Sequence, residues 1–406
     1  MVFFPKMALL SSENSAMAAE LGHPALVQKL IARIEREGPI SFAGFMEMAL
    51  YDPDFGYYTL QARIGAEGDY WTSPEVHRIF AELIGRQIAQ AAGLIAPNGP
   101  FAVIEMGAGQ GTFAANLLKA LQQKHPALLA RLQYVIIERS PRMEQRQREH
   151  LGPLLHAGIP VRWLPDLSTL ASGAVTGVIF SNELVDAFPV HRVVKRPAGL
   201  RELFVEWSGQ GFIELEAPPG TPALEQHFER LGVRLEEGQQ AEVNLEALGW
   251  MRQVAACLST GIVLTIDYGH TAADLYSPVR KRGTLLCYYR GTVCDNPYVR
   301  IGQQDMTAHV DFTSLALTGL EVGLEVTGFT NQSHFLLGLG IESAFDGIDP
   351  ESTDSECMRR LLRPNGMGST FKVLIQHKGI PAPALDGLKS RPFIADALYA
   401  GALPHG

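Results

Sequence analysis

Apolar residues recur at helical spacing through PALVQKLIARIEREG, residues 24–38, and again through FAGFMEMAL, where Pro53 and Gly56 halt the pattern. A third helix is expected from the stripe Val76, Ile79, Phe80, Leu83, Ile84 and Ile88, with Ser73 as its cap, Pro74 in its first turn and Gly93 at its end. From residue 100 the pattern changes. Short apolar runs (FAVIEM, YVIIER, VRWL, GVIFSNE) alternate with the amphipathic segments TFAANLLKALQQ and PRMEQRQREHL, and IVLTIDYG, LEVTGFT and FKVLIQHKG supply further strands. Continuous apolar strands separated by helices predict an α/β protein with a parallel sheet covered on both faces. Crossovers should be right-handed, and ligands should collect at the carboxyl ends of the strands. Two stretches break the rhythm. Residues 195–245 carry only weak strand signals, ELFVEW and FIELEA, which suit a small hairpin. Residues 270–312, rich in Tyr, Arg, Gly and Asp, read as a long irregular insertion of the kind that carries function.

The chain has 406 residues, 46% of them hydrophobic, enough for one large domain or two modest ones with a full core. A formal net charge of −9 argues against a broad electrostatic grip on nucleic acid. No apolar run approaches the ~20 residues that span a bilayer, so no membrane insertion is expected. The amino terminus has neither the h-region of a signal peptide nor the arginine-rich character of a transit peptide, and a cytoplasmic location is the expectation. Cys257, Cys287, Cys294 and Cys357 lack C-x-x-C spacing and read as buried or half-buried thiols, and no metal site is expected.

The stretch EMGAGQG carries the strongest chemical signal. A tight turn from strand to helix suits glycine and aims free helix-start N–H groups above the strand. A dinucleotide loop, G-x-G-x-x-G, would put its third glycine at 112, where Thr112 stands; Gly111 comes one residue early. The pattern Glu105, Gly107, Gly109, Gly111 instead resembles motif I of class I S-adenosylmethionine methyltransferases. In that resemblance Glu105 is oriented toward the cationic end of the ligand. Glu138, closing YVIIER, stands where a carboxylate can accept both ribose hydroxyls; pairing with Arg139 or Arg142 is the competing reading.

Asn182, Glu183 and Asp186 of SNELVDAFPVHR follow directly on a strand, where their polar groups could hold a cationic acceptor in line for methyl displacement. A helix capped by Asn182, with Glu183 and Asp186 in its first turn, explains the same residues structurally. Asp267 and Tyr268, ending IVLTIDYG, are placed to face the crevice. His309 and Asp311 suit capping or loop ordering better than catalysis. In GDYWTSPE a turn and a helix cap explain Gly68, Ser73, Pro74 and Glu75. They leave Asp69, Tyr70 and Trp71 over, an acid beside two aromatics that suits a lid over a nucleoside or a stacking surface for a planar cation.

Taken in order, GDYWTSPE, EMGAGQG, YVIIERSP, SNELVDAFPVHR, IDYG, GTLLCYYRG and QDMTAHVDF resemble the MidA family of methyltransferases, the family of the mitochondrial complex I assembly arginine methyltransferase. These stretches cover most of residues 35–380. The resemblance implies a Rossmann-like class I methyltransferase sheet with helices on both faces, S-adenosylmethionine as cofactor and a protein arginine as acceptor, in a partner that a respiratory complex could supply. It implies a helical extension over residues 1–98, a methyltransferase domain over 99–380 with 270–312 on the substrate side, and a tail over 381–406. Asp69, Tyr70, Thr72, Glu105, Gly107, Gly109, Gly111 and Glu138 are the expected cofactor-binding residues, and Asn182, Glu183, Asp186 and Asp267 the expected catalytic set. Gly291 and Cys294 stand where many members carry histidine, which puts the acceptor in question but not the cofactor. An assembly factor that only binds S-adenosylmethionine and its partner is the alternative of another class. A nicotinamide oxidoreductase is disfavoured by the glycine spacing. Self-association is left open.

Overall fold

Alternation along the central strands divides their side chains between two cores, and this places a sheet between two layers of helices. The structure, a computed structural model, describes residues 21–60, 73–390 and 398–399. Its large sheet contains β1 (Phe101–Met106), β2 (Leu132–Ile137), β3 (Val161–Leu164), β4 (Val175–Asn182), β5 (Leu258–His270), β6 (Glu325–Asn331) and β7 (Phe371–Lys378) in the order β6-β7-β5-β4-β1-β2-β3. Strands β1 to β5 run parallel, and β7 lies antiparallel between β5 and β6. From β1 the chain winds outward through β2 and β3, then returns to lay β4 on the other side of β1. That reversal opens a crevice at the carboxyl ends of β1 and β4.

Strand β1 sends Phe101 and Val103 to a core shared with the helices Ile79–Ile95 and Thr112–Lys124. Its alternate residues Ala102, Ile104 and Met106 enter a second core with Leu245–Cys257 and Phe312–Glu321. Burial on both sides is what the continuous apolar runs encode. At the other end of the sheet Ala102, Gly177 and Gly261 lie side by side on β1, β4 and β5. Both glycines have positive φ, +155° and +152°, and a Cβ on either would stand 1.9 Å from a carbonyl oxygen of the neighbouring strand. Only glycine lets these strands close.

A second body leans on this sheet. Ile40–Ser41, Gly199–Trp207, His191–Arg196, Gln240–Val243 and Phe212–Ala217 form a five-stranded antiparallel sheet, so ELFVEW and FIELEA do pair. The helices Pro24–Glu37 and Phe42–Tyr51 pack on it through Leu30, Phe45, Val205 and Phe212. The stretch 270–312 differs from the irregular insertion expected. It folds as a three-stranded antiparallel sheet, Leu286–Tyr289, Thr292–Cys294 and Asp305–Thr307, whose Cys287 and Met306 join the same core. Strands of three or four residues are too short to print a period on the sequence. Gly291 sits in its tight turn with φ +75° after Arg290 at +48°, the geometry of a primed hairpin turn, for which glycine is suited.

The third expected helix is broken: Ser73–Val76 is a separate turn before Ile79–Ile95, and Gly93 lies inside the latter rather than ending it. The His77 ring takes part in the break, its Nδ1 accepting from Ile79 N at 3.0 Å. Replacing Gly177 by Ala should destabilise the protein by at least about 3 kcal/mol, read as a lower urea midpoint, because a backbone clash in a packed sheet cannot be relieved by side-chain rotation.

Candidate functional site

At the carboxyl ends of β1, β2 and β4 lies a cavity of about 1530 Å³. Its floor is the glycine turn, where Gly107, Gly109 and Gly111 all have positive φ, +71°, +52° and +85°. A Cβ on Gly107 would come within 3.0 Å of Leu184 Cδ1, so glycine lets the turn pack closely on the segment that follows β4. Gly111 stands directly before the helix Thr112–Lys124, which Phe113 anchors by stacking on Phe180 of β4 at 4.4 Å.

Glu105, 2% exposed, points to the same side of β1 as Phe101 and Val103. Its carboxylate accepts a 2.6 Å hydrogen bond from the Tyr134 hydroxyl of β2. Burial outweighs that bond and pushes the Glu105 pKa up to about 7. Glu138 follows β2 and lines the cavity beside it. Its carboxylate accepts from Ser140 N at 2.9 Å and from Gln147 Nε2 at 2.8 Å, is also hydrogen-bonded by the Arg139 backbone, and forms no ion pair with the Arg139 or Arg142 side chain among the described residues; burial raises its pKa. Gln147 is fully buried and also donates to the Gly109 carbonyl at 2.8 Å, while Trp163 Nε1 donates to Gln147 Oε1 at 2.9 Å. One side chain thus ties the glycine turn to the carboxylate at the end of β2. Sequence reasoning passed over Gln147 and Tyr134. The available signal for Gln147 was its place four residues after Met143 on the one buried face of a polar helix, Pro141–His150.

Strand β4 ends at Asn182, and Glu183 turns sharply with φ +52°, its N–H donating to the Ile266 carbonyl of β5 at 3.0 Å. A non-glycine residue in this region marks local strain of the sort found at functional sites. No helix follows, so the capping explanation for Asn182, Glu183 and Asp186 falls. Glu183 Oε1 accepts from Ser73 N at 3.0 Å and from Asn182 Nδ2 at 2.9 Å. Desolvation, with the Asp186 charge adding to it, raises the Glu183 pKa to about 8. Asn182 is 8% exposed, and its Oδ1 has no hydrogen-bond partner among the described residues.

Asn182 and Glu183 line the cavity; Asp186 and Asp267, expected with them, stand behind its wall. The reason lies in the turn. Asp267 Oδ2 receives the backbone N–H groups of Leu184, Val185 and Asp186 at 3.2, 2.9 and 3.4 Å, which fixes the segment that carries Glu183. Asp186 is buried and hydrogen-bonded to the Tyr268 side chain. Asp311 caps the helix Phe312–Glu321 through Ser314 N, and His309 stacks on His270, both away from the cavity. Asp69, Tyr70, Trp71 and Thr72 lie outside the described residues. Just after them, Ser73 does not cap: its hydroxyl donates to Gln332 and its N–H to Glu183.

The set fits S-adenosylmethionine. A buried carboxylate without a counter-cation suits its ammonium, a second carboxylate suits the ribose, and the bare Gly107 turn suits close approach. Residues 83–330 match the family of S-adenosyl-L-methionine-dependent methyltransferases, and the chain belongs to that family. It is similar to the mouse protein named protein arginine methyltransferase NDUFAF7, mitochondrial, with 27% identity over 85% of this chain and 83% of that one. The human protein of the same name is also 27% identical, over 91% and 88%. Among solved structures, a superfamily member from Burkholderia thailandensis bound to S-adenosyl-homocysteine is 32% identical, covers 95% of this chain and 98% of its own, and superposes with a TM-score of 0.82. The expectation of a cytoplasmic location is overturned by the names of the mouse, human and fruit-fly relatives, all of them mitochondrial. No helix among the described residues is long and apolar enough to cross a membrane.

Two outcomes follow from this geometry. A carboxyl whose folded pKa is raised stabilises the fold below its unfolded pKa and loses that contribution as pH rises through the folded value. The ligand-free protein should therefore melt lower as pH rises through about 7, while the gain in melting temperature from S-adenosyl-homocysteine grows; Glu105→Gln should flatten both trends in a thermal-shift series. Gln147→Leu should weaken S-adenosyl-homocysteine roughly tenfold by calorimetry, since it frees the glycine turn and leaves Glu138 with a donor lost.

Proposed function

We propose that this chain transfers a methyl group from S-adenosylmethionine to a side-chain nitrogen of a partner protein, an arginine, with Glu183 holding the acceptor. The observation that carries the reading is the Asn182–Glu183 pair: an uncompensated carboxylate and an unpartnered amide oxygen, set side by side in the cavity at the end of β4. A guanidinium offers the planar N–H groups that such acceptors take. The printed names of the relatives, protein arginine methyltransferases, point to the same acceptor. A respiratory-complex subunit is the partner that the resemblance suggests.

Bound S-adenosylmethionine supplies a methyl on a positively charged sulfur, released to nitrogen by in-line displacement while the C–S bond breaks. The chain's own part is positioning and electrostatics. Glu105 would receive the ammonium and Glu138 the ribose hydroxyls. Glu183, fixed by Ser73 N, Asn182 Nδ2 and the Asp267-bound turn, would orient the guanidinium; once the new C–N bond forms, the proton of the methylated nitrogen would pass to the Glu183 carboxylate and from there to solvent. Asp267 and Asp186 serve as positioning residues.

Glu183→Ala should leave the affinity for S-adenosyl-homocysteine within about twofold and lower kcat/KM at least about a hundredfold, because the acceptor loses its partner while Glu105 and Glu138 are untouched. In the unaltered protein kcat/KM should rise with pH up to about 8, as Glu183 ionises. Proteome-wide mass spectrometry with and without the chain tests the acceptor: arginine methylation at specific sites should vanish, and an unchanged arginine pattern would refute the reading.

A further inference from the structure

The cavity is larger than its ligand requires, since sites for compounds of this size usually span about 300–1,000 Å³. At about 1530 Å³ it extends outward to a wall made by the helix Phe42–Tyr51 and the segment after it, where Glu47, Tyr51, Tyr58 and, across the opening, Glu246 face it. Glu47 and Tyr51 stand four residues apart and share that face of the helix. Among the described residues, eight acids and two arginines line the cavity.

The outer part is built around a cation. The Tyr51 and Tyr58 rings stack at 5.3 Å and are pinned by their hydroxyls, Tyr51 to the Ala187 carbonyl at 2.9 Å and Tyr58 to Asp305 at 2.8 Å. The Arg139 guanidinium already lies over the Tyr51 ring, 5.3 Å from its centre. Burial raises the Glu246 carboxyl, the nearby Arg139 lowers it and Glu47 raises it, so these three charges sense one another across the mouth. Glu47 and Glu246 form no ion pair among the described residues. At the inner end, Asn182 Oδ1, on a residue 8% exposed, lacks a partner among the described residues. The acceptor side therefore offers two separated places for positive groups, one at Asn182 and Glu183 and one on Tyr51 between Glu47 and Glu246.

We propose that the outer place is a specificity subsite for a second cationic side chain of the substrate, flanking the one that is methylated, and that Arg139 occupies it until the substrate enters. The subsite rests on the proposed reaction for its biological meaning but not for its binding chemistry. A lysine or arginine there would displace Arg139 from the ring, exchange one cation–π contact for another, and gain two carboxylates. The substrate class is thus a flexible basic segment carrying two positive residues, rather than an isolated arginine.

The test uses the full chain, saturated with S-adenosyl-homocysteine, and fluorescein-labelled decapeptides with a central arginine and neutral neighbours. In one series a single lysine is walked from one to five residues away; the control carries glutamine instead. Anisotropy should show at least about fivefold tighter binding for one or two lysine positions at low salt, fading toward 0.5 M salt as exposed charges are screened. The Glu47→Gln/Glu246→Gln double variant should lose that preference while keeping its affinity for S-adenosyl-homocysteine. In turnover assays with S-adenosylmethionine the favoured lysine should lower KM and leave kcat unchanged. Equal binding of every lysine peptide and the control, or a preference that persists in the double variant, overturns the subsite. If neither peptide is methylated yet the lysine preference appears and the variant erases it, the subsite stands and the proposed reaction fails.

Discussion

A carboxylate withdrawn from water needs a cation, a hydrogen-bond donor or a proton, and at the carboxyl edge of the large sheet the chain supplies only the last two. Glu105 takes the Tyr134 hydroxyl, Glu138 takes Gln147 and a backbone amide, and Glu183 takes Ser73 N and Asn182. None of the three pairs with a lysine or arginine side chain among the described residues. Each is held above its ordinary pKa by burial, Glu105 to about 7 and Glu183 to about 8. A fold that keeps acids in this state carries a cost that a positively charged ligand offsets. The acidic crevice is thus the feature from which cofactor choice, acceptor choice and pH response all derive.

Much of the remaining architecture keeps that crevice open and shaped. The return of β4 beside β1 creates it, and the paired glycines Gly177 and Gly261 let the strands close at the opposite end. Gln147 couples the floor to Glu138, and Asp267 draws three amides of the β4 turn inward so that Glu183 is presented in a strained conformation. The second body, formed from the amino-terminal helices, the five-stranded sheet and the 270–312 segment, contributes the far wall.

The central sheet was legible because its strands are buried on both sides and print continuous apolar runs, and the glycine turn because its backbone admits so few residues. Glu105, Glu138, Asn182 and Glu183 could be placed from their position at strand ends. Other features were hidden for physical reasons. Strands such as Thr292–Cys294 are too short to show a period, and their burial comes from partners far away in sequence. Asp186 and Asp267 look like Glu183 in one dimension, and only the backbone amides that turn toward Asp267 distinguish an organising acid from one that faces a ligand. Gln147 and Tyr134 gain their roles from neighbours across β1 and β2, contacts that no local pattern records.

Calorimetric titration of the purified chain with S-adenosyl-homocysteine and, separately, with NADH bears most directly on the acidic crevice as a cofactor site. One-to-one binding of S-adenosyl-homocysteine, with no heat from NADH, is the result predicted by carboxylates that await an ammonium and a ribose without any provision for a pyrophosphate. Binding of NADH with none of S-adenosyl-homocysteine would contradict it.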